Sequence, residues 1–159
     1  MHPSTTYQLR PITPEDEAFL YRVYASTRQA EMALVPWDDA QKAAFVRQQF
    51  EAQRSHYAHY YSGAAFDVIE VNGLPAGRLY LSRGKAEYRI VDITLLPEFR
   101  GRGIGSAILA DIQAEAAQAG ASVAIHVERF NPALKWYERL GFRVLEDKGV
   151  YLFMEWRPA

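Results

Sequence analysis

The sequence predicts a mixed α/β fold: a central, mostly antiparallel sheet of about six or seven strands with one parallel pair, flanked by about four helices. Three observations carry this. Between residues 65 and 95, apolar residues alternate with period two through three runs joined by short turns, the pattern of an antiparallel meander. From Tyr88 to Val127 the order becomes strand, helix, strand, and a helical crossover makes its two strands parallel. The chain then closes in a hairpin after Phe142. A single βαβ unit late in the chain argues against a doubly wound sheet.

The elements follow in order. Tyr7-Gln8-Leu9-Arg10 reads as a short first strand stopped by Pro11. Thr13-Pro14-Glu15-Asp16 starts a helix, with a cap, a proline at the first helical position and acids on the helix dipole. Phe19, Leu20, Val23 and Tyr24 keep its apolar spacing. A loop is expected over Glu31–Trp37, and a second helix starts at Asp38-Asp39. Ala40, Ala44, Phe45, Gln48 and Ala52 carry it to about Tyr57. Phe66–Val71 is a strand, Asn72-Gly73 a tight turn and Gly77–Leu81 the returning partner. After the turn at Arg83-Gly84-Lys85, the third run is Tyr88–Leu95.

Ile104, Ile108 and Ile112, with Ala107 and Ala114, form one face of a helix from Ile104 to Gln118 that Gly120 stops. Val123, Ile125 and Val127 alternate as the next strand. Asn131-Pro132 caps and opens a helix from Pro132 to Leu140, ended by Gly141. Phe142–Leu145, a turn near Asp147-Lys148-Gly149, and Val150–Trp156 complete the sheet.

At 159 residues, 1–159 reads as one domain with a sizeable core. Lys and Arg number 18 against 19 Asp and Glu, so the net charge of −1 argues against a nucleic-acid partner. The absence of cysteine removes disulfides, Cys-ligated zinc, iron–sulfur clusters and a Cys acyl-enzyme. Met1–Thr6 lacks a leader pattern, and no apolar run approaches the roughly 18 residues of a membrane span. A cytoplasmic protein with no membrane partner is expected.

The most informative segment is Pro97-Glu98-Phe99-Arg100-Gly101-Arg102-Gly103-Ile104-Gly105-Ser106. A glycine-rich strand-to-helix turn with two arginines is a place to hold a phosphate: the ligand reaches backbone, and the helix start offers unpaired N–H groups. A P-loop needs Gly-Lys-Ser/Thr, and no lysine stands there. The G-x-G-x-x-G dinucleotide pattern fails at Ser106. The pattern Arg100-x-x-Gly103-x-Gly105 after a strand, with Asn131-Pro132-Ala133-x-x-Trp136-Tyr137-x-x-x-Gly141-Phe142 downstream, resembles the GNAT N-acetyltransferase superfamily over residues 88–143. The bland reading is a tight glycine turn and a tyrosine packed in the core.

The resemblance implies an acetyltransferase that uses acetyl-CoA, without a metal, to modify a primary amine of a small molecule or peptide. It implies that the strand at Leu95 splays from the strand at Val127 to admit the pantetheine arm. Main-chain groups of Arg102, Gly103, Gly105 and Ser106, in the turn that begins at Gly101, would hold the pyrophosphate. The side chains of Arg100 and Arg102 would meet a phosphate or stay solvated. Leu95 and Leu96 would act through their main chain, one N–H polarising the thioester carbonyl. Tyr137 matches the general acid of many relatives, and Asn131 a coenzyme contact that is equally a helix cap.

For the base, His126 lies on the strand face opposite Val123, Ile125 and Val127 and titrates near neutrality. Glu128, Asp92 and water are the other candidates. Met32, Trp37, Tyr57, Tyr60 and Tyr61 are candidates for the acceptor pocket, for core packing or for a homodimer contact. His56 and His59 lack a third ligand at helical spacing for a metal. The alternative function is a non-catalytic acyl-CoA-binding or sensory module on the same fold.

Overall fold

The structure, a computed structural model, describes residues 6–159; residues 1–5 of the segment read for a leader lie outside them. Seven strands form one sheet: β1 Tyr7–Pro11, β2 Ala65–Val71, β3 Leu74–Arg83, β4 Glu87–Leu95, β5 Ser122–Glu128, β6 Arg143–Asp147 and β7 Tyr151–Trp156. Their spatial order is β1-β2-β3-β4-β5-β7-β6, and only β4 and β5 run parallel. Four α-helices are described: α1 Glu17–Ala33, α2 Asp39–Tyr60, α3 Ile104–Gln118 and α4 Leu134–Arg139. None of them is long and apolar enough to cross a membrane.

The period-two pattern sorts side chains between two faces. On one face Leu79, Leu81, Ile90, Ile125 and Met154 pack against Ile104, Ile108 and Ile112 of α3 and Tyr137 of α4. The other face carries Tyr80, against which Tyr57 of α2 packs edge-on at 5.7 Å. Helices α1 and α2 hold each other through Leu20, Tyr24, Val46 and Phe50.

Several local expectations shift, each for a physical reason. Pro11 belongs to β1, which a sheet edge tolerates because the missing N–H is not needed there. A 3-10 turn, Pro14–Asp16, precedes α1, and α1 runs to Ala33 through the start of the expected loop. Asp16 anchors that entry: its carboxylate accepts from Arg10 at 2.8 Å and from the Thr13 N–H at 2.8 Å. Arg10 holds the Asp16 carboxyl down at about 2.

In α2 the buried stripe is Val46 and Phe50; Ala44, Gln48 and Ala52 are exposed. Two large apolar residues one turn apart define the face that packs on α1. Helix α4 begins at Leu134, two residues late, because Asn131 Oδ1 accepts from the Ala133 N–H at 2.8 Å and makes a side-chain turn first.

The ladder between β3 and β4 carries one irregularity. Tyr80 of β3 pairs with Asp92, yet Leu81 pairs with Ile90, so Val91 is an extra residue bulging from β4. The parallel pairing of β4 with β5 stops at the same level, at Ile90 and Ile125. Beyond it, Val91–Leu95 and His126–Glu128 diverge and leave a gap between the strands.

Candidate active site

The gap is lined by backbone. Leu96 N–H donates to Ala76 O at 2.8 Å. In an antiparallel ladder successive residues alternate in direction, so the main-chain groups of Ile93 and Leu95 turn away from β3 and into the gap. Leu95 O accepts from Arg100 Nε at 3.0 Å. Leu96 is different: its N–H is held by Ala76, and its carbonyl accepts from Phe99 N–H at 2.9 Å. Of the two leucines expected to act through main chain, only Leu95 has a group to offer. Ile93, not singled out from the sequence, joins it.

Gly77 lies opposite Leu95. A Cβ there would fall 2.1 Å from Thr94 O, so only glycine lets β3 approach this end of β4. An isolated glycine inside a strand pattern was the available signal.

The glycine turn comes directly after β4. Gly101 and Gly103 have φ of 75° and 79°, the left-handed region, and no atom lies within 4 Å of where a Cβ would sit. Gly103 caps α3 without a side chain, and the first helical bond runs from Ala107 N–H to Gly103 O at 3.0 Å. The N–H groups of Ile104, Gly105 and Ser106 therefore have no acceptor within the helix. They form an open donor set at the positive end of a fifteen-residue helix. Arg100 spends its Nε on Leu95, and the Arg102 guanidinium lies 5.4 Å from the Phe99 ring centre.

Helix α4 is fastened to this turn. Trp136 Nε1 donates to Ser106 Oγ at 3.1 Å, leaving the Ser106 hydroxyl proton free to point elsewhere. A Cβ on Gly105 would sit 3.3 Å from the Trp136 ring. The next residue, Tyr137, is 6% exposed, with its ring against Trp136 at 4.9 Å and Phe142 at 5.7 Å. Burial first, and the negative charge of Asp92 second, hold the phenol proton well above its ordinary range. Its hydroxyl has no hydrogen-bond partner among the described residues, yet is not sealed from solvent. Asn131 is exposed and uses its carbonyl oxygen on the turn before α4.

His126 faces the other side of the sheet, half-buried beside Phe153 at 4.9 Å between ring centres. Lys148 Nζ sits 3.1 Å from its Nε2. Burial, then the charges of Lys148 and Arg89, push its pKa down, so the neutral ring is favoured. Glu128 is exposed at the end of β5. Asp92 is fully engaged: Oδ1 accepts from Thr94 at 2.6 Å, and Oδ2 from Arg78 at 2.8 Å and Tyr57 at 3.2 Å. Arg78, only 2% exposed, also donates to Gln53 Oε1 at 2.7 Å, joining α2 to β3 and β4. An arginine inside a strand gave no sequence sign of this network.

A cleft of about 420 Å³ opens between α1, α2 and the segment Leu96–Glu98. Of the residues expected to build an acceptor pocket, Met32 lines it. Tyr57 bonds Asp92 instead, Trp37 packs on Phe45 at 5.4 Å, and Tyr60 and Tyr61 cluster with His56 at the end of α2. Among the described residues, no group of three His, Asp or Glu is placed to hold a metal ion.

Comparison with known proteins agrees with this geometry. Residues 56–144 match the family model described as an acetyltransferase (GNAT) domain. The fold is shared with PaiA N-acetyltransferase of Thermoplasma acidophilum, solved in complex with coenzyme A. That likeness has a TM-score of 0.72 at 17% identity and covers 96% of this chain and 99% of that one. An acetyltransferase from Thermus thermophilus aligns with a TM-score of 0.69 at 20% identity, covering 99% and 100%. A GNAT family acetyltransferase from Elizabethkingia anophelis, with acetyl-CoA bound, aligns at 0.63 and 13% identity over 98% and 100%. No curated protein matches the chain in sequence.

Proposed function

This chain belongs to the GNAT acetyltransferase family, and from that premise we propose that it moves an acetyl group from acetyl-CoA directly to a primary amine. The observation that carries the reading is the gap between β4 and β5, lined by the turned-out backbone of Ile93 and Leu95 and opening beside the glycine turn. When bound, acetyl-CoA supplies an activated thioester carbonyl. The N–H groups of Ile104, Gly105 and Ser106 hold its pyrophosphate, with the main chain of Arg102 and Gly103 shaping the turn. Leu95 N–H hydrogen-bonds the carbonyl oxygen as negative charge develops there. Tyr137, kept protonated by its burial, delivers a proton to the departing sulfur.

His126 takes the amine proton. It sits on the sheet face toward α1 and α2, opposite the coenzyme-side core that holds Tyr137, so base and acid work from opposite sides of the gap. Its depressed pKa keeps the ring neutral near pH 7, the state that accepts a proton. Lys148 occupies Nε2, and this exposed turn residue moves aside when the amine arrives.

That same contact favours a second reading, a non-catalytic acyl-CoA-binding module, in which Lys148 keeps His126 blocked. Calorimetric titration with acetyl-CoA, with ATP and NAD as controls, tests the coenzyme. CoA release across a panel of amines then separates the two. Selective binding with release supports transfer; selective binding with no release from any amine supports the module.

A further inference from the structure

Resting on the transfer reading above, we propose that the acceptor is a small amine of amino-acid size that carries a carboxylate on an apolar body, held in the cleft between α1 and α2 with its carboxylate on Lys42. The cleft volume, about 420 Å³, falls within the roughly 300–1,000 Å³ of small-molecule pockets. Its wall is apolar through Tyr21, Ala25, Met32, Val46 and Leu96. Leu96 follows Leu95 directly, so this end of the cleft abuts the reacting gap and receives the amine.

Charge decides what else the cleft takes. Three ionised groups reach the cleft: Arg22, Lys42 and Glu98. Arg22 and Glu98 pair with each other at 3.3 Å and cancel. Lys42 is half-buried and, among the described residues, has no carboxylate partner. The Ser26 hydroxyl is spent on Val23 O at 2.7 Å. The cleft therefore has one unbalanced cation in apolar surroundings, where a charge acts more strongly than in open water. A polyamine or a lysine-rich peptide would meet like charge and find no unpaired acid. An amine with a carboxylate finds its complement.

The test compares acid and amide isosteres. Titrate the whole protein with N-acetyl-leucine, N-acetyl-methionine and N-acetyl-phenylalanine and with their carboxamides, and assay the free amino acids and amino amides for CoA release. The acid of at least one pair is expected to bind about tenfold more tightly than its amide. Lys42→Gln is expected to remove that preference, while Lys85→Gln, on the distant β3–β4 turn, leaves it intact. Equal or weaker binding of the acids, no binding of any probe, or a preference that survives Lys42→Gln overturns the proposal. CoA release with amides alone sinks this inference and leaves acetyl transfer standing. An acid preference in binding without any CoA release sinks the transfer reading and leaves the anion-binding cleft.

Discussion

Lys148 Nζ lies 3.1 Å from His126 Nε2, an ammonium set against an imidazole on the sheet face opposite Tyr137. A cation there disfavours a second positive charge, and burial acts in the same sense. Arg89 adds to the depression, while Glu146 and Glu87 oppose it. Lys148→Ala removes one depressing charge, so the His126 pKa rises and the ring stays protonated to higher pH. Activity through His126 is then lost at higher pH than in the wild type: the acid limb of the kcat profile shifts upward. An unmoved limb in Lys148→Ala, or a normal limb in His126→Gln, rules His126 out as the base.

Tyr137→Phe keeps the ring against Trp136 and Phe142 and removes only the hydroxyl. Turnover is expected to fall by on the order of 100-fold, at the low end of general acid–base effects. Acetyl-CoA affinity by calorimetry changes little. A wild-type rate removes the acid role.

Gly103→Val places a β-branched residue at φ 79°, in the region that L side chains avoid, at the start of the helix that carries the open donor set. Acetyl-CoA binding is expected to disappear. Unchanged affinity in a folded variant, judged by circular dichroism, overturns the pyrophosphate assignment.

Arg78→Met strands the Asp92 carboxylate among buried neighbours. Breaking a buried pair on one side typically costs about 3–5 kcal/mol. Denaturant unfolding is expected to show a loss of that order, and Asp92→Asn in the same chain to recover part of it. Equal stability of all three proteins means that the pair does not hold α2 on the sheet.

Much of the scaffold was legible because its signals are local. The boundaries of α3 at Ile104 and Gln118 follow from isoleucines at helical spacing between two glycines. The meander follows from alternation and the Asn72-Gly73 turn, and the parallel order of β4 and β5 from the helix between them. Where a local signal is weak, the pattern misleads. In α2 the pattern singled out neither Val46 nor Phe50, which lie on the helix face opposite the exposed Ala44 and Gln48, and Asn131 built a turn before α4 instead of starting it.

By itself, then, the sequence determined the order of elements, the glycine turn at a helix start and the tyrosine one helix later. Each is written in residues a few positions apart, where backbone conformation and spacing suffice. Only the tertiary structure decided which groups are free to act. Leu96 lost its main-chain donor to Ala76, Asp92 was absorbed by Arg78 and Tyr57, His126 met Lys148, and Lys42 was left without a carboxylate partner among the described residues. These outcomes depend on hydrogen bonds and charges between residues up to 35 positions apart, which pairing register and helix docking bring together. No local pattern encodes them.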